Sequence, residues 1–133
     1  MRAALLAMLC VVIEFEPAAA QPAPSPPPQQ QRSCFFITEM RNWKAPDDKT
    51  IFIRVNMNQF YRLDLSAACP LLTMADSHLI TRTRGPDTVC SALDWDISVA
   101  QSPPASIPEP CIVKKMTALT PEEAAAIPPK FRP

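Results

Sequence analysis

The side chains whose types and spacing bear on chemistry are a single histidine, His78, two aspartates two positions apart, Asp94 and Asp96, and five cysteines. A nucleophile needs a base within hydrogen-bond reach and a third group to orient that base. With one histidine in the chain, serine-type hydrolysis would have to pass through His78. Neighbours along a strand point to opposite faces, so Ser77 cannot reach it, and His78 reads as an ordinary strand-edge residue. Asp94 and Asp96 on one strand face would stand about 7 Å apart, inside the roughly 6.5–9.5 Å between the carboxyls of inverting glycosidases. Any acidic solvent face has the same spacing. Arg82 and Arg84 repeat on the same period, so a cross-strand charge ladder is the simpler account. Asp47-Asp48-Lys49 lacks the glycine and further oxygen ligands of a calcium loop and reads as a turn. We therefore expect no catalytic residue, no cofactor site and no metal site.

Side chains suited to binding are better placed. Aromatic rings offer large contact area to sugars and partner proteins, and the chain has Trp43 and Trp95; the latter alternates with Leu93 and Ile97 and reads as core. From Thr50 the hydrophobic pattern has period two: Ile51, Ile53 and Val55 share one face, as do Tyr61, Leu63 and Leu65. These runs predict a hairpin. Opposed residues must share a face, and placing Ile53 opposite Tyr61 leaves a loop over 56–58 whose asparagines tolerate positive φ. That register sets Arg54 opposite Phe60 and Phe52 opposite Arg62, whereas the next one along would oppose Arg54 to Arg62, an unfavourable like-charge pair. Phe52, Arg54, Phe60 and Arg62 thus fall together on the face away from Ile53. They form either an exposed aromatic and cationic binding patch or a second buried face under a loop or helix.

Further strand segments are expected. Residues 78–84 and 88–91 flank a turn at Gly85-Pro86-Asp87, the former containing His78 and the latter returning from the turn. Residues 93–99 alternate Leu93, Trp95, Ile97 and Val99 with polar positions, and a proline-rich loop over 102–110 leads to a last strand over 111–116. A first strand over 34–40 gives about six in all, the spacing of a small antiparallel barrel or sandwich. Near the end, Thr120 as N-cap, Pro121 at the first helical position and Glu123 completing a capping box predict a short C-terminal helix. Pro128-Pro129 stop it after about two turns, and Leu119 and Ile127 would dock it on the sheet, since a helix this short is unstable alone.

The N-terminus carries an address. Met1-Arg2, an apolar run of 11 residues over 3–13 and a closing Ala18-Ala19-Ala20 are the parts of a secretory signal peptide, with cleavage expected after Ala20. The run is shorter than the about 20 residues a membrane span needs. Residues 21–33, with five prolines and no large apolar side chain, cannot bury anything and read as an extended Pro/Gln-rich tail or spacer. The stapled domain would occupy 34–133. Cleavage removes Cys10 and leaves Cys34, Cys69, Cys90 and Cys111, an even count that reads as two disulfides in an exported chain. Zinc would need closer pairs than these gaps of 35, 21 and 21 residues. Of 13 basic and 13 acidic residues, cleavage removes Arg2, Glu14 and Glu16, leaving 12 and 11. No basic excess favours nucleic acid, and no lysine-rich segment favours an anionic membrane surface.

The ordered part carries a resemblance. Cys34-Phe35-Phe36, Asn42-Trp43, Asp47-Asp48, Tyr61-Arg62-Leu63-Asp64-Leu65, Cys69-Pro70-Leu71, Val89-Cys90-Ser91, Pro110-Cys111-Ile112-Val113 and Leu119-Thr120-Pro121-Glu122-Glu123-Ala124 resemble a family of small exported proteins of Gram-negative bacteria, a domain of unknown function. The resemblance implies export, β-rich structure and disulfides, and brings no activity or catalytic residue. Four cysteines allow three connectivities. First and last strands are commonly neighbours in a small barrel, which favours Cys34 with Cys111 and Cys69 with Cys90. On these grounds the chain is expected to be a periplasmic or secreted, non-enzymatic domain that binds an envelope protein or cell-wall component. The alternatives are a small hydrolase using His78 or the Asp94 and Asp96 pair, and a structural envelope protein.

Overall fold

A computed structural model describes residues 34–102 and 107–133. The expected signal peptide and Pro/Gln-rich tail, and part of the proline-rich loop, lie outside the described residues. The strands are β1 (Phe35–Phe36), β2 (Met40–Lys44), β3 (Thr50–Val55), β4 (Gln59–Leu65), β5 (Ser77–Thr83), β6 (Thr88–Val89), β7 (Trp95–Gln101), β8 (Glu109–Pro110) and β9 (Val113–Leu119), followed by a helix α1 (Pro121–Ala126). All pairings are antiparallel. Sheet orders are β2-β3-β4-β9, β5-β7-β8 and β1-β6. The fold is therefore a sandwich, since none of these sheets closes into a barrel.

Period-two alternation in β3 and β4 puts Ile51, Ile53, Val55, Tyr61, Leu63 and Leu65 into the core, the first five at 1 % exposure or less and Leu65 at 6 %. The hairpin has the expected register, Ile53 opposite Tyr61 and Ile51 opposite Leu63. Asn56 takes the positive φ, 52°, that its side chain tolerates. From the three-stranded sheet Trp95, Ile97 and Val99 are buried. Phe35 joins the two layers, its ring centroid 5.0 Å from that of Tyr61 and 5.8 Å from that of Trp95, the second contact edge-on.

The disulfides correct the expected pairing: Cys34 bonds Cys90, and Cys69 bonds Cys111. The barrel premise behind Cys34–Cys111 fails because the first strand is broken. A 3-10 turn over Ile37–Glu39 separates β1 from β2, and β1 pairs with β6, Phe35 opposite Val89. Cys34 therefore lies beside the segment carrying Cys90. For the same reason residues 88–89 do not return along β5. That strand pairs with β7 instead, and β6 belongs with β1.

Residues 93–99 are also revised. Strand β7 begins at Trp95, and Leu93 is 75 % exposed rather than inward-facing. The Asp94 carboxylate accepts from the backbone N–H of Cys90 at 2.8 Å and of Ser91 at 2.7 Å. That turn interrupts the alternation just before the strand. At the other end of the chain the capping box forms as expected. Thr120 Oγ1 accepts from Glu123 N–H at 3.1 Å, and Glu123 Oε2 accepts from Thr120 N–H at 2.8 Å. Ile127 is buried, and the Arg132 guanidinium donates to the Ala125 and Ile127 carbonyls that the helix end leaves unpaired.

Candidate binding surface

The outer face of the four-stranded sheet is assembled by register. Arg54 stands opposite Phe60, and Phe52 opposite Arg62, so two aromatic–cation cross-strand pairs lie side by side. Strand β9 extends the face, setting Leu119 opposite Phe60, Thr117 opposite Arg62 and Lys115 opposite Asp64. On the far side β2 adds Lys44 opposite Phe52 and Asn42 opposite Arg54. The four expected patch residues are thus contiguous.

Neither expected description fits the face alone. Phe52 and Phe60 are half-buried, as is Arg54, while Arg62 is exposed. Phe52, Arg62 and Leu119 border a groove of about 600 Å³ together with Ala126, Ile127 and Pro128. The helix and the residues after it therefore lie along this face. Farther on, Phe131 lines a cleft with Trp43 and Lys44 of β2. The C-terminal segment thus starts at one edge of the sheet and reaches the other. Within the face, Arg62 Nε binds Asp64 Oδ1 at 2.8 Å, while Arg54 Nε is buried without a hydrogen-bond partner among the described residues. The surface combines half-buried aromatic rings, a paired cation and one buried donor with no partner among the described residues.

The sequence candidates for catalysis are not brought together. His78 is exposed on β5, and its Nδ1 is 3.5 Å from Ser102 Oγ, whereas the Ser77 hydroxyl donates to the Leu71 carbonyl. Asp94 sits in the turn ahead of β7 and Asp96 on the strand. Backbone donors from Cys90 and then Ser91 hold the Asp94 carboxyl below its usual range. Asp96 is lowered first by its hydrogen bonds with Arg84, so the charge pairing expected between these strands is present. Trp95 is core, and Trp43 packs half-buried against the core from β2.

Of the β9 residues on the face, Lys115 and Thr117 were not singled out from sequence, and Leu119 was expected only as a contact docking the helix. Their alternation was readable, but the expected last strand ended at Met116, and only pairing with β4 carries it on to Leu119.

Fold and surface define a class: a small β-sandwich domain stapled by two disulfides, its outer sheet face bordered by a C-terminal helix. The chain belongs to a family of unknown function, DUF6491, which it matches over residues 1–130. No curated protein and no solved structure matches it.

Proposed function

We propose that this is an exported, non-enzymatic binding module that engages an envelope protein or cell-wall component through the outer face of the four-stranded sheet. The juxtaposition of Phe52, Arg54, Phe60 and Arg62 carries the proposal. Export after cleavage near Ala20 to the periplasm or medium is supported by the N-terminal pattern and by the two disulfides, which persist in oxidising compartments. Interfaces draw their energy from a few aromatic and arginine anchors, and this face offers two of each.

The test is recovery of partners from envelope extract and of isolated cell wall by the immobilised mature protein, in parallel with a Phe52→Ser/Phe60→Ser variant. Because both rings are half-buried, Arg62→Glu is the second variant, placed on an exposed side chain. Recovery lost in both, with unfolding transitions still cooperative, supports the proposal; recovery unchanged in Arg62→Glu and in a folded double variant contradicts it. A hydrolase remains the second reading because Ser102 lies beside His78. Activity in a substrate screen that disappears in His78→Ala or Asp94→Asn would favour it.

A further inference from the structure

We propose that the cleft bordered by β5, β7 and the segment leading into β9 is a second binding site, one that takes a carboxylate carried on an apolar chain. It is a different face from the one described above and does not depend on that reading. The cleft measures about 550 Å³, within the roughly 300–1,000 Å³ of small-molecule sites.

Its lining is mixed in character: Arg82 of β5 and Arg84 just beyond it border the space, as do Leu93 from the turn ahead of β7 and Ile112 between β8 and β9. Leu93 and Ile112 are 75 % and 70 % exposed. A single exposed aliphatic side chain needs no explanation, but these two line the same concavity. The charges do not cancel. Arg84 Nε lies 3.1 and 3.0 Å from the two Asp96 oxygens, and Arg84 Nη2 also bonds that carboxylate, so Asp96 is engaged. Arg82 stands opposite Asp96 in the register and contributes to holding its carboxyl low, yet no hydrogen bond or ion pair of its own is formed among the described residues. One cation is therefore in surplus beside two exposed aliphatic side chains.

A guanidinium presents paired N–H groups that match a carboxylate, while Leu93 and Ile112 gain from covering an alkyl chain. Neither half suffices alone: a small anion leaves the aliphatic side chains wet, and a neutral chain leaves Arg82 unmatched. The complementary ligand is a free fatty carboxylate.

Decanoate, kept below its micelle concentration, is the probe, titrated into the oxidised ¹⁵N-labelled protein and followed by amide NMR. Decanol and acetate are the control ligands, Arg82→Gln and Leu93→Ser the variants. Both substitutions fall on exposed side chains, and a cooperative unfolding transition in each checks the fold. The proposal expects saturable shifts at Arg82, Leu93 and Ile112, and affinity about tenfold weaker or worse in each variant and for each control ligand. It is overturned by the absence of saturable shifts at those amides, by Arg82→Gln binding as the unaltered protein does, by decanol binding as tightly as decanoate, or by shifts centred on Phe52 and Arg62 instead.

Discussion

Arg54 is the side chain on the outer face that folding alone explains least. A buried donor left unmet costs about 1–3 kcal/mol, and Arg54 Nε is such a donor among the described residues. If contact with a partner is what retains it, Arg54→Met, which keeps an apolar stem and drops the head, leaves the urea midpoint unchanged or raises it while weakening partner recovery. A lower midpoint with recovery intact would contradict this. Asp94 and Asp96 make the acid side of the stability profile. Both folded-state values lie below the ordinary 3.8. Their contribution is therefore complete above that value and is lost as pH falls through the lower folded ones. Melting temperature followed downward from about pH 5 should fall less steeply in Asp94→Asn and Asp96→Asn than in the unaltered protein; parallel curves would remove these carboxyls from the account. The patch residues were legible because period two and avoidance of an Arg54–Arg62 pair are local rules. The role of Asp94 was not, since a carboxylate capping its own upstream turn has the same spacing in sequence as one on a strand face.

Elements read well where their determinants lie within a few residues. The β3–β4 hairpin and the α1 capping box follow from parity and from Thr120 and Glu123. Pairings between distant segments did not, and the disulfides show why. Whether Cys34 meets Cys90 or Cys111 depends on β1 pairing with β6, and two-residue strands, though both segments were expected to be extended, carry too little pattern to name their partner. The two bonds close spans of 56 and 42 residues, for which chain entropy gives about 4 kcal/mol each. They differ in burial: Cys69 and Cys111 are in the core, whereas Cys34 is half-buried and Cys90 exposed. Replacing Cys69 and Cys111 by alanine therefore costs more than replacing Cys34 and Cys90, because sulfur packing is lost along with the cross-link. Urea unfolding of the two double variants checks the order, and equal losses would show that burial of the bond is immaterial.

At the scale of the molecule, the four-stranded and three-stranded sheets meet through Phe35, whose ring contacts both Tyr61 and Trp95, while Cys34–Cys90 ties the ends of the small β1–β6 ladder. The four-stranded sheet's outer face is bordered rather than sealed by the C-terminal segment, so its rings are half-buried and its Arg62 exposed. A mainly β, doubly stapled domain was readable from alternation and cysteine count; the way the chain's end runs along a sheet face was not, because it depends on where β9 joins. The most direct test of the proposed function places a benzophenone photo-crosslinker at Arg62 in the full chain, with a control at Met74 just after the 3-10 turn Pro70–Thr73 that follows β4, and irradiates intact cells producing it. The account predicts a discrete adduct from position 62 that disappears with Phe52→Ser/Phe60→Ser and does not form from position 74. No adduct from position 62 in protein with both disulfides formed, or equal adducts from the two positions, would contradict it.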